Sequence, residues 1–354
     1  MAKKTYYDRT NIMKTKAQYL LLLGSRSSGK SYQAKEEALI QAYEGKSTFV
    51  YLRRWSKDVK YAAVESYFND MPISKYTKGE YDGVKAWNGY LYFTTTADDG
   101  TRITGKRIGR YCGLNRAEEY KSQVFKERII IYEEFITDET YLTNEPTKLQ
   151  HFVSTVFRGE PGTVFLIGNT LSRTCPYFFE WCLEGVLKQK IGTIEIYHYD
   201  TEEGKIDIAV EYCEPAKGGK NTMFFGQAAK QIITGEWDVI DVPKLPKERS
   251  KYEKIYEVLV TYMNFKFVIE LLIEPEEGGA ICYVYPYTKK RQILRQITNI
   301  FSDSLWVSAK LDMSKKPEKM IYDCFRLGKV CYSDNLTGSD FKNVNKQFRI
   351  GELI

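Results

Sequence analysis

The stretch Tyr19 to Ser31, YLLLLGSRSSGKS, leaves few folds open to this chain. The leucine run Leu20 to Leu23 is too short for a helix core and suits a strand buried on both faces. Gly24 breaks that strand. Ser25, Arg26, Ser27, Ser28 and Gly29 then form a loop of small and polar residues, and Lys30 and Ser31 open a helix that runs on through Ile40. The pattern is G-x-x-x-x-G-K-[ST] in the strand–loop–helix setting that it requires.

Each residue type has a chemical reason. Gly24 and Gly29 let the backbone turn tightly and approach a ligand closely. Successive N–H groups then face β-phosphate oxygens at a helix N-terminus. Lys30 reaches the β and γ phosphates, and the Ser31 hydroxyl ligates Mg²⁺. A nucleoside triphosphate site is the expectation.

The bulk numbers bound the rest. At 354 residues the chain has room for two domains and a small linker module. The net charge of +6 permits a nucleic-acid partner without requiring one. Seven scattered cysteines with no C-x-x-C pair argue for reduced thiols and against a zinc site. Two histidines, His151 and His198, are too few for a histidine metal site and read as structural. The N-terminal stretch has no signal-peptide core and no run is long enough to cross a bilayer, so a soluble intracellular protein without a membrane partner is expected.

Residues 1–17 are polar and basic, an arm expected beside the nucleotide site or a neighbouring subunit. Ser47 to Leu52 reads as a second buried strand that delivers Arg53 and Arg54 at its C-terminal end, where ligands sit in open α/β sheets. One arginine reaching phosphate or a neighbouring subunit, and a solvated pair, are both open readings. Val59 to Asn69 has helical spacing. Asn88-Gly89 between two alternating runs of Tyr81 to Thr96 predicts a hairpin. Residues 100–110, GTRITGKRIGR, read as a mobile basic loop that either touches a phosphate backbone or is solvated.

Arg128 to Phe135, RIIIYEEF, is a β-branched run ending in two carboxylates, the form of a Walker B strand in the same sheet. Glu133 would face the Mg²⁺ shell, and Glu134 would polarise the attacking water as general base. Aspartate is the usual residue at the first position, so the extra methylene of Glu133 demands an adjusted metal geometry. Leu149, Phe152, Val153, Val156 and Phe157 define an amphipathic helix ending at Arg158. Arg158 either complements the helix dipole or is a finger presented to the next subunit. Thr163 to Gly168 reads as a third buried strand with Asn169 at its end, placed to sense γ-phosphate. A helix over 176–188 and a strand over 193–198 follow. The class expected is α/β, a P-loop ATPase of the additional-strand, catalytic-glutamate type.

At this point the residues resemble a family, the DNA-packaging ATPases of short-tailed phages with protein-primed genomes, compact relatives of large terminase subunits. The stretches that carry it are GSRSSGKS at 24–31, FVYLRR at 49–54, SYFND at 66–70, IIIYEEF at 129–135, TVFR at 155–158 and IGN at 167–169. The resemblance implies a ring-shaped homo-oligomer, usually a pentamer, at the portal (connector) vertex of a procapsid. ATP hydrolysis in it drives double-stranded DNA inward, in the host cytoplasm, in some relatives with a structural RNA. It implies that Arg158 is a trans-acting finger, that Lys121 in EEYKSQVF is a second trans-acting cation, that Arg53 and Arg54 match a paired arginine, and that Lys57 lies near the DNA channel.

Residues 201–250 are rich in Gly, Pro and charge, with one helix near Phe225 to Ile233, and read as a linker module between a 1–200 ATPase domain and a 251–354 domain. IYEVLVTYM, FKFVIELLI and AICYVYPY suggest three meandering strands with a turn at Glu276 to Gly279, and helices follow near Pro317 to Leu327 and Asp340 to Phe348. That order suggests an RNase H-like fold. A nuclease needs several carboxylates on two metal ions. Glu257, Glu270, Asp303, Asp312 and Asp323 form no persuasive acidic pair, so a domain without cleavage activity is expected. A phosphotransferase acting on a small molecule and an ATP-switched binding module are the competing functions.

Overall fold

The leucine run is an inner strand of a nine-stranded sheet. The computed structural model describes residues 5–202, 204–217, 233–276, 278–288, 292–298, 304 and 306–347. The chain divides into two units, one of Met1–Thr137, Tyr141–Thr170 and Glu180–Glu236, the other of Asp138–Thr140, Leu171–Phe179 and Trp237–Ile354.

In the first unit the elements run α1 (Thr10–Lys14), β1 (Tyr19–Leu23), α2 (Lys30–Tyr43), β2 (Thr48–Arg53), α3 (Tyr61–Phe68), α4 (Ile73–Tyr76), β3 (Gly83–Trp87), β4 (Tyr90–Thr96), β5 (Arg102–Gly113), β6 (Glu127–Glu133), α5 (Glu145–Phe157) and β7 (Thr163–Ile167). The short helix α6 (Pro176–Glu180) belongs, but for Glu180, to the second unit, and the first resumes with a 3-10 turn at Glu184–Lys188, β8 (Ile194–Thr201) and β9 (Gly204–Tyr212). The sheet order is β3-β4-β5-β2-β6-β7-β1-β9-β8. β1 pairs in parallel with β7 and β9, so its leucines have neighbours on both sides and are buried on both faces. The acidic strand β6 is separated from β1 by one strand, β7. Ala34, Ala38 and Ala42 form the buried stripe of α2, and such small side chains let the helix lie close to the sheet. On α5 the apolar stripe predicted from spacing is the buried face.

The Tyr81–Thr96 hairpin is present as β3 and β4. Asn88 (φ 46°) and Gly89 (φ 82°) are both left-handed, as a two-residue hairpin turn demands. Residues 100–110 differ from expectation. They form most of β5, antiparallel to β4 and parallel to β2. Two of their glycines are positions of close approach: a Cβ on Gly109 would lie 2.2 Å from the Phe49 carbonyl oxygen, and one on Gly105 would lie 2.5 Å from the Tyr81 ring. Their cations are engaged too, Lys106 donating to the Ala42 carbonyl at the end of α2 at 2.7 Å. Gly109→Ala is expected to destabilise by about 1–3 kcal/mol, read as a lowered urea midpoint, because backbone rather than a flexible side chain must give way.

Part of the stretch 201–250 is built into the sheet of the first unit. Gly204–Tyr212 is β9, and the division of contacts falls between Glu236 and Trp237. The alternation Ile206, Ile208, Val210, Tyr212 was masked by charged and glycine-rich flanks. The helix expected at Phe225 to Ile233 lies, except for Ile233, outside the described residues. The stretch 176–188 is the short α6 and the 3-10 turn rather than one helix. Both histidines are exposed, and His198 pairs with Asp207 at 2.7 Å across β8 and β9.

The second unit contains β10 (Glu253–Tyr262), β11 (Phe265–Ile273), β12 (Ala280–Pro286), β13 (Gln296–Thr298), β14 (Val307–Ser308), α7 (Lys316–Arg326), β15 (Val330–Tyr332) and α8 (Asn335–Gln347). Its sheet order is β14-β13-β10-β11-β12-β15. The meander β10-β11-β12 is antiparallel, while β13 is parallel to β10 and β14 to β13. Ile321 and Cys324 of α7 and Phe341 and Val344 of α8 pack on Val258, Val260, Ile269 and Val284 of the meander. Strands β13, β14 and β15 are two or three residues long, too short for periodicity to reveal.

Candidate functional site

A cleft of about 980 Å³ opens in the first unit at the C-terminal ends of β1, β6 and β7. It is lined by Arg26 to Ser31, by Glu133 and Glu134, and by Asn169, with Lys35, Asp70 and Tyr6 on its wall. Gly24 leaves β1 with φ 140°, and a Cβ there would lie 2.8 Å from the Cys213 carbonyl oxygen beyond β9. Only glycine meets both conditions without strain. Ser25 and Ser28 are buried, while Arg26 and Ser27 are exposed at the mouth.

Lys30 is 4% exposed. Its ammonium donates to the Ser25 carbonyl (2.6 Å), Ser28 Oγ (3.2 Å) and Asn169 Oδ1 (3.3 Å). Three protein acceptors therefore aim the cation into the loop. Burial pulls its pKa below the ordinary lysine value, against the attraction of Glu133. Glu133 is also buried, and burial raises its pKa. The Tyr67 hydroxyl, which donates to Glu133 Oε1 at 2.5 Å, and the Ser31 hydroxyl oppose that rise. A serine hydroxyl and a buried carboxylate in contact at a helix N-terminus are a donor set suited to a hard divalent cation.

Glu134 follows β6 with φ 57°, and its half-exposed side chain pairs with Arg53 Nη2 at 2.5 Å. Arg54 is buried, so the two arginines are not a solvated pair. It binds Glu145 through Nε (2.7 Å) and Nη2 (3.1 Å), and the carbonyls of Glu134 (3.1 Å) and Phe135 (2.8 Å). It thus clamps the backbone that carries Glu134.

The remaining expected residues lie elsewhere. Arg158 caps α5 with φ 49° and donates to the Gln123 carbonyl at 2.8 Å. Lys121, two residues from Gln123, is exposed and pairs with Glu118. Neither lines the cleft. Lys57 is exposed on the 3-10 turn Ser56–Asp58. The N-terminal arm packs beside the loop as anticipated: the Tyr7 N–H donates to the Ser28 carbonyl (2.9 Å), its hydroxyl to Glu211 (2.8 Å), and Arg9 spans Glu36 and Glu37 on α2. Sequence reasoning missed Tyr67 and the clamp of Arg54 and Glu145. Only the stretch SYFND pointed toward the former, and nothing local toward the latter.

The fold and the cleft define an α/β protein in which the loop between an inner parallel strand and the following helix encloses a buried lysine. The family model of the Podovirus DNA encapsidation protein (Gp16) matches residues 1–197, more than half of the chain, and the chain belongs to that family. It is 29% identical over 162 residues to the DNA packaging protein of Bacillus phage B103, covering 44% of this chain and 46% of that protein. It is 27% identical over 183 residues to the DNA packaging protein of Bacillus phage phi29, covering 50% of each. The matches span about half the length of these curated relatives. Among solved structures, a chain of the bacteriophage Phi-29 viral genome packaging motor assembly shares the fold with TM-score 0.57 and 16% identity over 98% of both chains. A chain of the Phi-28 gp11 DNA packaging motor does so with TM-score 0.53 and 17% identity over 96% of this chain and 97% of that one.

Proposed function

We propose that this chain is the ATP-hydrolysing subunit of a ring-shaped motor that moves double-stranded viral DNA into a procapsid. The observation that carries the reading is that Lys30, Ser31, Glu133, Glu134 and Asn169, from three separate parts of the chain, line one cleft. The single strand between β6 and β1 supports the additional-strand, catalytic-glutamate class. ATP would lie with its phosphates in the loop 24–31, taking over the donors of Lys30 that Ser25 and Ser28 now occupy. Ser31 and Glu133 would hold Mg²⁺, which neutralises phosphate charge when bound. Glu134 is the general base. Its carboxylate is shared with Arg53 in this structure, so activation of water requires that pair to open.

Arg158 and Lys121 stand outside the cleft of their own chain, which supports their being offered to a neighbouring copy in the ring. A finger so placed stabilises charge that develops in the transition state. A pentamer, a portal partner, a structural RNA and a site of action at the portal vertex in the host cytoplasm belong to the same proposal. For the second unit, a three-stranded meander with two parallel strands beside its first strand supports an RNase H-like domain. Glu257 and Glu270 face each other across β10 and β11, but Lys254 and Arg249 already pair with them. Asp323 pairs with Arg326, Asp312 accepts from Ser314, and Asp303 lies outside the described residues. This supports a domain that binds nucleic acid or portal without cutting DNA.

The test is the ATPase rate across protein concentration, with and without double-stranded DNA. The rate should rise with assembly and with DNA. Glu134→Gln should keep nucleotide affinity and lose ~10²–10⁴-fold in kcat. A wild-type rate from that variant removes Glu134 from the mechanism. Turnover indifferent to DNA and concentration would instead favour a small-molecule phosphotransferase, and tight binding without turnover an ATP-switched binding module.

A further inference from the structure

Tyr67 reaches the cleft from α3, an element that the phosphate loop and the acidic strand do not predict. Its hydroxyl donates to Glu133 Oε1 at 2.5 Å. Its ring is stacked on Tyr51 (centroids 4.4 Å apart, 28° between planes), and Lys35 Nζ lies over it 4.5 Å from the centroid. Its backbone is held as well. Lys35, 4% exposed, donates to the Tyr67 carbonyl at 2.7 Å and to Asp70 Oδ1 at 2.5 Å. Lys35 stands one turn after Ser31 on α2, so the helix that presents the serine hydroxyl also braces the tyrosine.

We infer that Tyr67 is a positioning residue for the metal, pinning one oxygen of Glu133 so that the other is aimed at the cation beside Ser31. The inference rests on the nucleotide–metal reading of this cleft. It accounts for the departure noted at position 133. A glutamate has one more rotatable bond than the usual aspartate and loses more freedom when fixed. A hydroxyl anchored by Tyr51 and Lys35 takes up the extra reach and selects one rotamer. An aspartate at this position is one methylene shorter and falls short of the same hydroxyl. Partners that orient a metal-binding side chain in this way commonly contribute 10–100-fold to metal affinity.

The experiment uses the full chain and Mn²⁺ as the probe, titrated by electron paramagnetic resonance in the presence of saturating ADP, with ADP affinity in EDTA measured alongside. Tyr67→Phe keeps the ring and its stacking. It should leave ADP affinity in EDTA within about twofold and weaken Mn²⁺ about tenfold or more. In a Glu133→Asp background the same Tyr67→Phe change should add little, a non-additivity that a merely structural tyrosine would not show. Wild-type Mn²⁺ affinity in Tyr67→Phe, or an undiminished loss in the Glu133→Asp background, overturns the assignment. If the unaltered protein binds no ADP in either condition, the reading of the cleft itself fails, and the assignment with it.

Discussion

Lys30→Ala is expected to abolish ATP hydrolysis, with kcat falling by at least ~10²–10³-fold. The side chain is not a surface charge that a neighbour can replace. It is buried, and its donors converge on Ser25, Ser28 and Asn169 inside the loop. Phosphate oxygens entering the loop meet a cation already stripped of water, where its field is least screened. Lys30→Arg should fail as well, because the longer planar guanidinium does not fit a cradle closed by the buried Ser25 and Ser28. The loss should also appear without turnover. A ligand at 100 times its Kd stabilises the folded state by about 2.7 kcal/mol, so ADP should raise the melting temperature of the wild type and leave that of Lys30→Ala nearly unmoved. An equal shift in both would mean that the nucleotide binds elsewhere.

The parts of this molecule that could be read in advance are those whose signal is local. Leu20 to Leu23 demanded a strand buried on both faces, and β1 is that strand, with β7 and β9 beside it. Asn88-Gly89 announced a hairpin because two successive left-handed residues have few other uses. The order of loop, acidic strand and polar strand end brought Lys30, Glu133 and Asn169 to one cleft as expected. What could not be read depends on distance. Gly105 and Gly109 look like loop glycines until Tyr81 and the Phe49 carbonyl are seen where their side chains would be. Tyr67 is one of many tyrosines until its hydroxyl is found on Glu133, and Arg54 looks equivalent to Arg53 until one is found buried on Glu145 and the other paired with Glu134. Adjacent residues at a strand end point to opposite faces, so the pair was bound to divide its roles.

That division makes Arg54→Ala the substitution with the largest expected effect on stability, about 3–5 kcal/mol by urea unfolding. Glu145, the first residue of α5, is 1% exposed and accepts from Arg54, from the Tyr132 hydroxyl (2.7 Å) and from the Leu142 N–H (2.9 Å). Removing the guanidinium leaves this carboxylate in the core without its cation. Arg54→Lys should recover little, since a single ammonium cannot span two carboxylate oxygens and two carbonyls. Arg116→Ala, which breaks an exposed pair with Glu119, is the control and should leave the midpoint where it is. The double variant Arg54→Met, Glu145→Leu removes both charges together and should regain part of the lost stability, because an apolar pair carries no desolvation cost. It should not regain the rate. The carbonyls of Glu134 and Phe135 would still lack the donors that Arg54 supplies, and the carboxylate of Glu134 would be presented from a backbone no longer held. Recovery of stability with full recovery of kcat would show that the clamp serves the fold alone.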